Sequence, residues 1–486
     1  MQKSINYIIT NCNKYCKILF LFIGFNITLQ AQDTHYATAQ FGARSALMGG
    51  AVIGSVKDNT AVFYNPAGLG YIDSSVLSIN ATAYQIENIR IYNAVGAQKD
   101  FKSSQLGSVP LLVGGMLPTG KRKLKIGYSI MSSVNFNFKA TARIDDKLPV
   151  VDDAESPGNE AFIGQAGIDC RLNELAVGLG GGYKLNEKWS VGLSNLFSVR
   201  SLSLNRATYS RFFLNTIGSP MVSSSFVRNV DFFNVRYAAK LGVNYQDKDF
   251  GAGLTFTTPS VRVMGNGTIA VDVIGTNILY NGARTNLLAN DRQEKLKTDY
   301  KSPFSVTGGI NFNISRSSFG LAAQYYGRIP IYDIIRAKPS TFVRPASLSS
   351  SLGSDDFLRL KTAAKAVLNF SAGYEYTLKS TVLLNASFRT NNSYFYKPLS
   401  DAVGIKTDLT TWNIYHFTVG TTITRGRSKM SIGALYSTGI DKAKLQADNL
   451  SKPKEDNFLQ GGTTITKATY SNIGLILGYT FMVKKF

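Results

Sequence analysis

Apolar side chains fall on alternate residues along most of this chain. Between Leu175 and Leu185, the residues Leu175, Val177, Leu179, Tyr183 and Leu185 interleave with Ala176, Gly178, Gly180, Gly182 and Lys184. Successive side chains of a β-strand point to opposite faces, so this spacing predicts a strand with one greasy face and one small or polar face. The same rhythm runs through Tyr237, Ala239, Leu241, Val243 and Tyr245, through Phe250, Ala252, Leu254 and Phe256, and through Leu368, Phe370, Ala372, Tyr374 and Tyr376. A soluble sandwich alternates too, but its strands average about five or six residues, whereas these runs reach about ten, enough for a tilted membrane-crossing strand. Rings near the ends of the runs, Trp189, Tyr245, Phe250, Tyr326 and Trp412, suit the boundary between hydrocarbon and water.

The connections alternate in length. Tight turns fall near Pro118 to Arg122, Asn186 to Lys188, Asp247, Arg316, Lys379 and Gly426. Between them the sequence reads as long polar loops over 141–171, 207–229, 265–302, 332–362, 392–411 and 439–466. Short turns on one side and long loops on the other are the asymmetry of bacterial outer-membrane barrels. The expected fold is all-β: a transmembrane antiparallel barrel of about 14 strands over 74–486, an even number that returns both ends to the periplasm. The last segment, Leu477 to Phe486, resembles the terminal strand read by the barrel assembly machinery, although Leu475, Leu477, Tyr479, Phe481 and Val483 are out of phase with Phe486, which calls for a bulge or an early strand end.

Residues 1–31 read as an export signal. Lys3, Lys14 and Lys17 precede the apolar run Ile18 to Leu29, and the small Ala31 closes it before Gln32. A run of about a dozen residues is too short to span a bilayer. Cys12 and Cys16 fall within this leader, so Cys170 is left alone and no internal disulfide can form. The three leader lysines, with no acid beside them, leave +19 of the +22 formal charge on the remainder. That charge is scattered and not gathered in one patch, which favours contact with anionic outer-membrane lipid and lipopolysaccharide over nucleic acid.

Residues 32–73 are not strand-like. Gly49 and Gly50 permit positive φ, Asp58-Asn59 makes a polar step, and Asn65-Pro66-Ala67-Gly68 favours a tight turn. So apolar a segment must bury itself, and the nearest interior is the barrel lumen. This stretch resembles the N-terminal hatch of the FadL family of outer-membrane transporters, and so do Gly253-Leu254-Thr255-Phe256 with Thr258-Pro259, and Ser302-Pro303-Phe304. The resemblance implies a barrel plugged by 32–73, passive uptake of a hydrophobic small molecule such as a long-chain fatty acid or an aromatic hydrocarbon, gating by the hatch residues Gly49, Gly50, Asp58, Asn59, Asn65, Pro66, Ala67 and Gly68, and sideways exit into the membrane. The family also includes PorV-type accessory proteins, which implies secretion-system proteins and their cargo as an alternative set of partners.

By the alternation, Arg200, Lys240, Arg328, Glu375 and Arg389 should project into the lumen, where a cation could meet a ligand carboxylate or pair with the plug. No catalytic residue, metal site or cofactor is expected. His35 and His416 are the only histidines, and a barrel hydrolase would need a serine beside His416 on an adjacent strand. Asp145, Asp146, Asp152, Asp153 and Glu155 lack the spacing of a calcium loop. The leader yields a direct expectation. Intact mass of the membrane-extracted protein should place Gln32 at or near the N-terminus, and a chain retaining Met1 in the inner membrane would overturn the reading of an exported barrel.

Overall fold

The computed structural model describes residues 33–36, 40–72, 74–117, 119, 123–280, 282–345, 353–402, 404–407 and 409–485. The leader, Gln32 and the terminal Phe486 lie outside these. The first strands are β1 (Ser74–Ile91), β2 (Phe101–Leu117), β3 (Leu124–Leu148), β4 (Glu160–Lys184), β5 (Trp189–Phe213) and β6 (Met221–Gln246). There follow β7 (Phe250–Thr257), β8 (Val261–Tyr280), β9 (Ala283–Lys297), β10 (Ser305–Ile314), β11 (Ser317–Tyr326), β12 (Ile329–Ile335) and β13 (Leu360–Ala364). The chain closes with β14 (Val367–Lys379), β15 (Val382–Asn391), β16 (Ile405–Lys406), β17 (Asn413–Arg425), β18 (Ser428–Leu445) and β19 (Ile465–Lys485).

Fourteen of these form one closed antiparallel ring. It runs β1 to β7, then β10, β11, β14, β15, β17, β18 and β19, and it shuts where β19 pairs with β1 from Ser74↔Lys485 to Ile91↔Ala468. Val483 is bulged out at that seam, since Ser75 faces Lys484 and Val76 faces Met482, while Phe486, whose phase was in question, lies outside the described residues. The outward residues Leu175, Val177, Leu179, Leu241, Leu254, Phe370 and Val419 are exposed as a continuous apolar belt. A belt of this kind is stable only in lipid, and with the closed ring it makes the chain an outer-membrane β-barrel.

The tight turns at 186–188, Asp247, Arg316, Lys379 and Gly426 stand where the sequence placed them, and most of the one expected at 118–122 lies outside the described residues. Three of the six predicted long loops do not form, while 332–362, 392–411 and 439–466 are mainly non-strand among the described residues. Over 141–171 and 207–229 the chain is mainly strand, as β3 runs to Leu148, β4 starts at Glu160, β5 runs to Phe213 and β6 starts at Met221; β8 and β9 likewise occupy most of 265–302. The reason is a phase change. In β4 the apolar set lies on outward positions 175–185 but on inward positions farther up, where Phe162, Ile168 and Leu172 are buried. Lipid surrounds the lower part of the strand, and water surrounds the upper part, so the greasy face swaps sides. β5 changes phase between Val199 and Leu202 in the same way.

The upper lumen is therefore filled by a large apolar core. Inward Phe136, Phe138, Phe162, Leu204 and Phe232 pack there with Ile334, Ile335, Leu409, Trp412, Leu450 and Phe458 from the intervening segments. Trp412 is 1% exposed within this core, so it is not the interfacial ring that its position suggested. The small sheet β12-β13-β16 belongs to this upper cap. On the wall below, β7 breaks at Thr258-Pro259-Ser260 and β8 resumes its course along β6, from Tyr237↔Val261 to Ser223↔Thr276.

Arginine at Leu179, Leu241 or Phe370 should cost about 2–4 kcal/mol near the bilayer midplane. At Gly180 an added Cβ instead meets Ser194 and the hatch residue Leu69, so arginine there should act by crowding the lumen. Denaturant unfolding of the barrel in bilayers separates the two classes, and equal tolerance at both would mean that no lipid-facing side exists.

Candidate functional site: a seated plug and the chamber above it

The segment before β1 folds inside the ring at the short-turn end, where the Tyr71 hydroxyl donates to the carbonyl of Lys188 at 2.7 Å. Helix α1 (Ala43–Leu47) is followed by Gly49 and Gly50 at φ 61° and 82°, a reversal that side chains resist. Asp58 caps a short 3₁₀ turn, Asn59–Val62, by accepting the amide of Thr60 at 2.9 Å. Asn59 itself is fully buried beside Gly114 of β2, and its side-chain amide has no hydrogen-bond partner among the described residues.

Asn65 caps a second 3₁₀ turn, Pro66–Tyr71. Its Oδ1 accepts the amide of Ala67 at 3.2 Å, while its Nδ2 donates to the carbonyls of Ile53 at 3.0 Å and Val243 at 3.1 Å. Proline fits the first position of the turn because no amide is needed there. This turn is pressed against the wall. A Cβ at Gly192 would lie 2.3 Å from the Pro66 carbonyl carbon, and one at Gly242 would lie 2.2 Å from Asn65 Oδ1. Gly182, Gly253, Gly320 and Gly373 receive other hatch atoms comparably close, so inward glycines on several strands make the seat. Phe41, Met48, Val52, Val62 and Leu69 then bury themselves against Leu112, Met116 and Met131 of the wall.

Four of the five charges expected in the lumen are there. Glu375 accepts from Arg44 of the hatch at 3.1 Å, and Lys240 donates to the carbonyl of Phe63 at 2.5 Å while lying over its ring. Arg200 meets the carboxylate of Glu174 at 2.9 Å and Arg236 meets it at 2.5 Å; Ser133 donates to its other oxygen at 3.0 Å. Arg389 is buried on β15. Arg328 is the exception: β11 ends at Tyr326, the alternation ends with it, and the exposed Arg328 reaches the hydroxyl of Tyr396 at 2.7 Å.

Between the plug and the upper core lies a cavity of about 200 Å³. His35 and Tyr36 form part of its ceiling, and Asp33 and Thr34 lie just before them. Thr34 bonds to Thr410 and Tyr394, His35 Nε2 lies 2.9 Å from the carbonyl of Trp412, and Tyr36 stacks between Tyr326 and Tyr394 with centroids 4.4 Å from each. Tyr326 thus faces the chamber and not the membrane boundary. A smaller cavity of about 60 Å³, lined by Glu87, His416, Tyr470 and Asn472, shares Gln40 and Arg389 with the first. His416 Nδ1 lies 2.7 Å from Ser437 Oγ, the adjacent-strand serine, but that serine is fully buried and His416 Nε2 has no partner among the described residues.

The wall is interrupted beside the chamber. Among the described residues β2 pairs with β3 from Leu112↔Met131 to Leu117↔Ile126, and on its other side, against β4, β3 is bulged at Ser133, which lines the cavity with Val134. Glu174, Arg236, Tyr36, Tyr300 and Tyr394 are site residues that the sequence reading missed. Glu174 carried a signal, an acid at an inward position of a strand otherwise lined there by small or apolar residues.

No protein-family profile matches the chain, and no curated protein matches it in sequence. Solved structures do match. A Pseudomonas aeruginosa FadL homologue aligns over 92% of this chain and 99% of its own, at 11% identity and a TM-score of 0.57. The Pseudomonas putida toluene transporter TodX aligns over 92% and 99%, at 14% and 0.55, and the Ralstonia pickettii toluene transporter TbuX over 91% and 98%, at 15% and 0.51. At such low identity these likenesses speak for the fold. With the seated N-terminal segment, they show that the chain shares its fold, a fourteen-stranded antiparallel barrel, with the FadL homologue and the two toluene transporters.

Proposed function

We propose that this barrel admits small hydrophobic molecules through the outer membrane, with residues 32–73 as the gate and the interrupted β2–β3 wall as the way out. The observation that carries the reading is the internal cavity, closed below by the plug and reaching the bulge at Ser133. A backbone left unpaired at membrane depth is tolerable only where it lines a cavity or is covered by protein. The neighbours in fold support the direction, since two of them are toluene transporters. A molecule reaching the chamber would need to pass only between β2 and β3 to enter lipid, and no covalent step is required.

The plug is the testable part. Replacing Asn65 and Pro66 together with alanine removes the two bonds from Asn65 Nδ2 to Ile53 and Val243, each worth about 1 kcal/mol. That loss of about 2 kcal/mol should raise the population of an unseated plug roughly 30-fold while the wall ladders stay intact. Uptake of labelled toluene and of a labelled long-chain fatty acid should change in cells carrying the variant, with folded barrel matched by heat-modified gel mobility. Unchanged uptake beside a lost secretion phenotype would replace the channel reading with that of a secretion accessory. No change in either would leave the segment a plug without a gating role.

A further inference from the structure

The chamber is mostly apolar in its lining, but a cluster of buried charged and polar groups interrupts that surface. Arg200, Arg236, Lys240 and Arg389 line it against a single carboxylate, Glu174, so the lining carries an excess of positive charge. Arg236 Nη1 and Asn369 Nδ2 belong to lining residues only 5% exposed, and these two donors have no acceptor among the described residues. Aromatic faces complete the site. Tyr36, Tyr326 and Tyr394 form a stack on one side, and Phe41, Phe63 and Tyr64 pack edge to face on another.

From this we infer that the chamber selects a single-ring aromatic acid, a benzoate-like anion, over both an aromatic hydrocarbon and a long-chain fatty acid. The inference deepens the channel reading and rests on it. Three physical terms decide the preference. A carboxylate gains charge-assisted hydrogen bonds from arginine and lysine, and these are about twice as strong as neutral ones. A hydrocarbon of the same shape displaces water from those cations and tyrosine hydroxyls and returns no bond, which is the arrangement that rejects an analogue lacking the polar group. A fatty acid has the carboxylate, but the volume is wrong: about 200 Å³ holds one aromatic ring, which fits a cavity of roughly 150 Å³, and leaves no room for a long acyl chain.

The test uses the full-length barrel purified in detergent, with benzoate, toluene and palmitate as probes, binding by calorimetry and passage in proteoliposomes. Benzoate is expected to bind about tenfold or more tighter than either competitor. R389Q should weaken benzoate about tenfold and leave toluene within about twofold, because only the charged probe loses a partner. K240Q is the second variant in case R389Q does not fold, and heat-modified mobility reports folding for both. Toluene or palmitate binding as tightly as benzoate would overturn the inference and leave the channel reading standing. So would benzoate binding that neither folded variant weakens. If none of the three probes binds or passes, the channel reading falls and this inference falls with it.

Discussion

Backbone amides and carbonyls in hydrocarbon have no water to bond, so every one of them must find a partner within the protein, and that constraint closes the sheet. The ladder from Ser74↔Lys485 to Ile91↔Ala468 is the seam that removes both edges. Departures from the ladder are then informative. The bulge at Val483 sits at the short-turn rim, where water is near. The shortened β2–β3 pairing sits beside Ser133 and Val134, which line the chamber, so the unpaired stretch borders the lumen and not lipid alone. Higher up, Ser103 Oγ accepts the amide of Lys139 at 3.2 Å, a side chain standing in where the ladder is missing.

Closure creates a second problem, since a ring this wide leaves a lumen that must be filled or wet. Here it is filled from both ends. The upper half turns its apolar positions inward and packs them with the segments between strands, while the lower half keeps glycine on the inside and lets the hatch approach to backbone distance. Each of those glycines costs strand stability, and a side chain at Gly192 or Gly242 would collide with Pro66 or Asn65. The seat therefore exists for the plug, and the polar ties that hold it, among them Arg44 to Glu375, Asn65 to Val243, Lys240 to Phe63, Tyr71 to Lys188 and Ser190 to Ala67, are few beside the ladders of the wall. Segments held by few contacts open at lower free energy than the fold as a whole.

The membrane-facing half of the fold was legible because lipid imposes one rule on every strand, apolar outward, and Leu175 to Leu185 obeys it over six outward positions with only Gly181 breaking the run. The upper half was misread as loop because the rule inverts above the membrane. Phe162, Ile168 and Leu172 alternate as regularly as the residues below, but on the other face, and a single-phase pattern registers the inversion as lost order. The plug was legible from Asn65-Pro66-Ala67, whose chemistry is local. The chamber was not, because Tyr36, Glu174, Arg236, Tyr300 and Tyr394 come together only through the curvature of the ring. Arg328 shows the limit from the other side: alternation predicts a direction only while the strand lasts, and β11 stops two residues earlier.

The N-terminal segment binds the two fillings to each other. Its upper end is held in the cap, where the amide of Thr34 donates to Thr410 Oγ1 at 2.7 Å and the amide of Tyr394 donates to the carbonyl of Thr34 at 2.8 Å. Its lower end is held in the plug, where the amide of Phe41 donates to the hydroxyl of Tyr64 at 2.9 Å and that hydroxyl donates to Gln40. From Tyr36 to Gln40 the chain can span at most about 14 Å when fully extended. A plug that withdraws toward the short-turn end by more than the slack in that link must pull Tyr36 from between Tyr326 and Tyr394 and break the bonds of Thr34. The ceiling of the chamber and its floor are therefore parts of one continuous segment, and a large displacement of the floor reshapes the ceiling by covalent necessity, with no need for a network of side chains to carry the change.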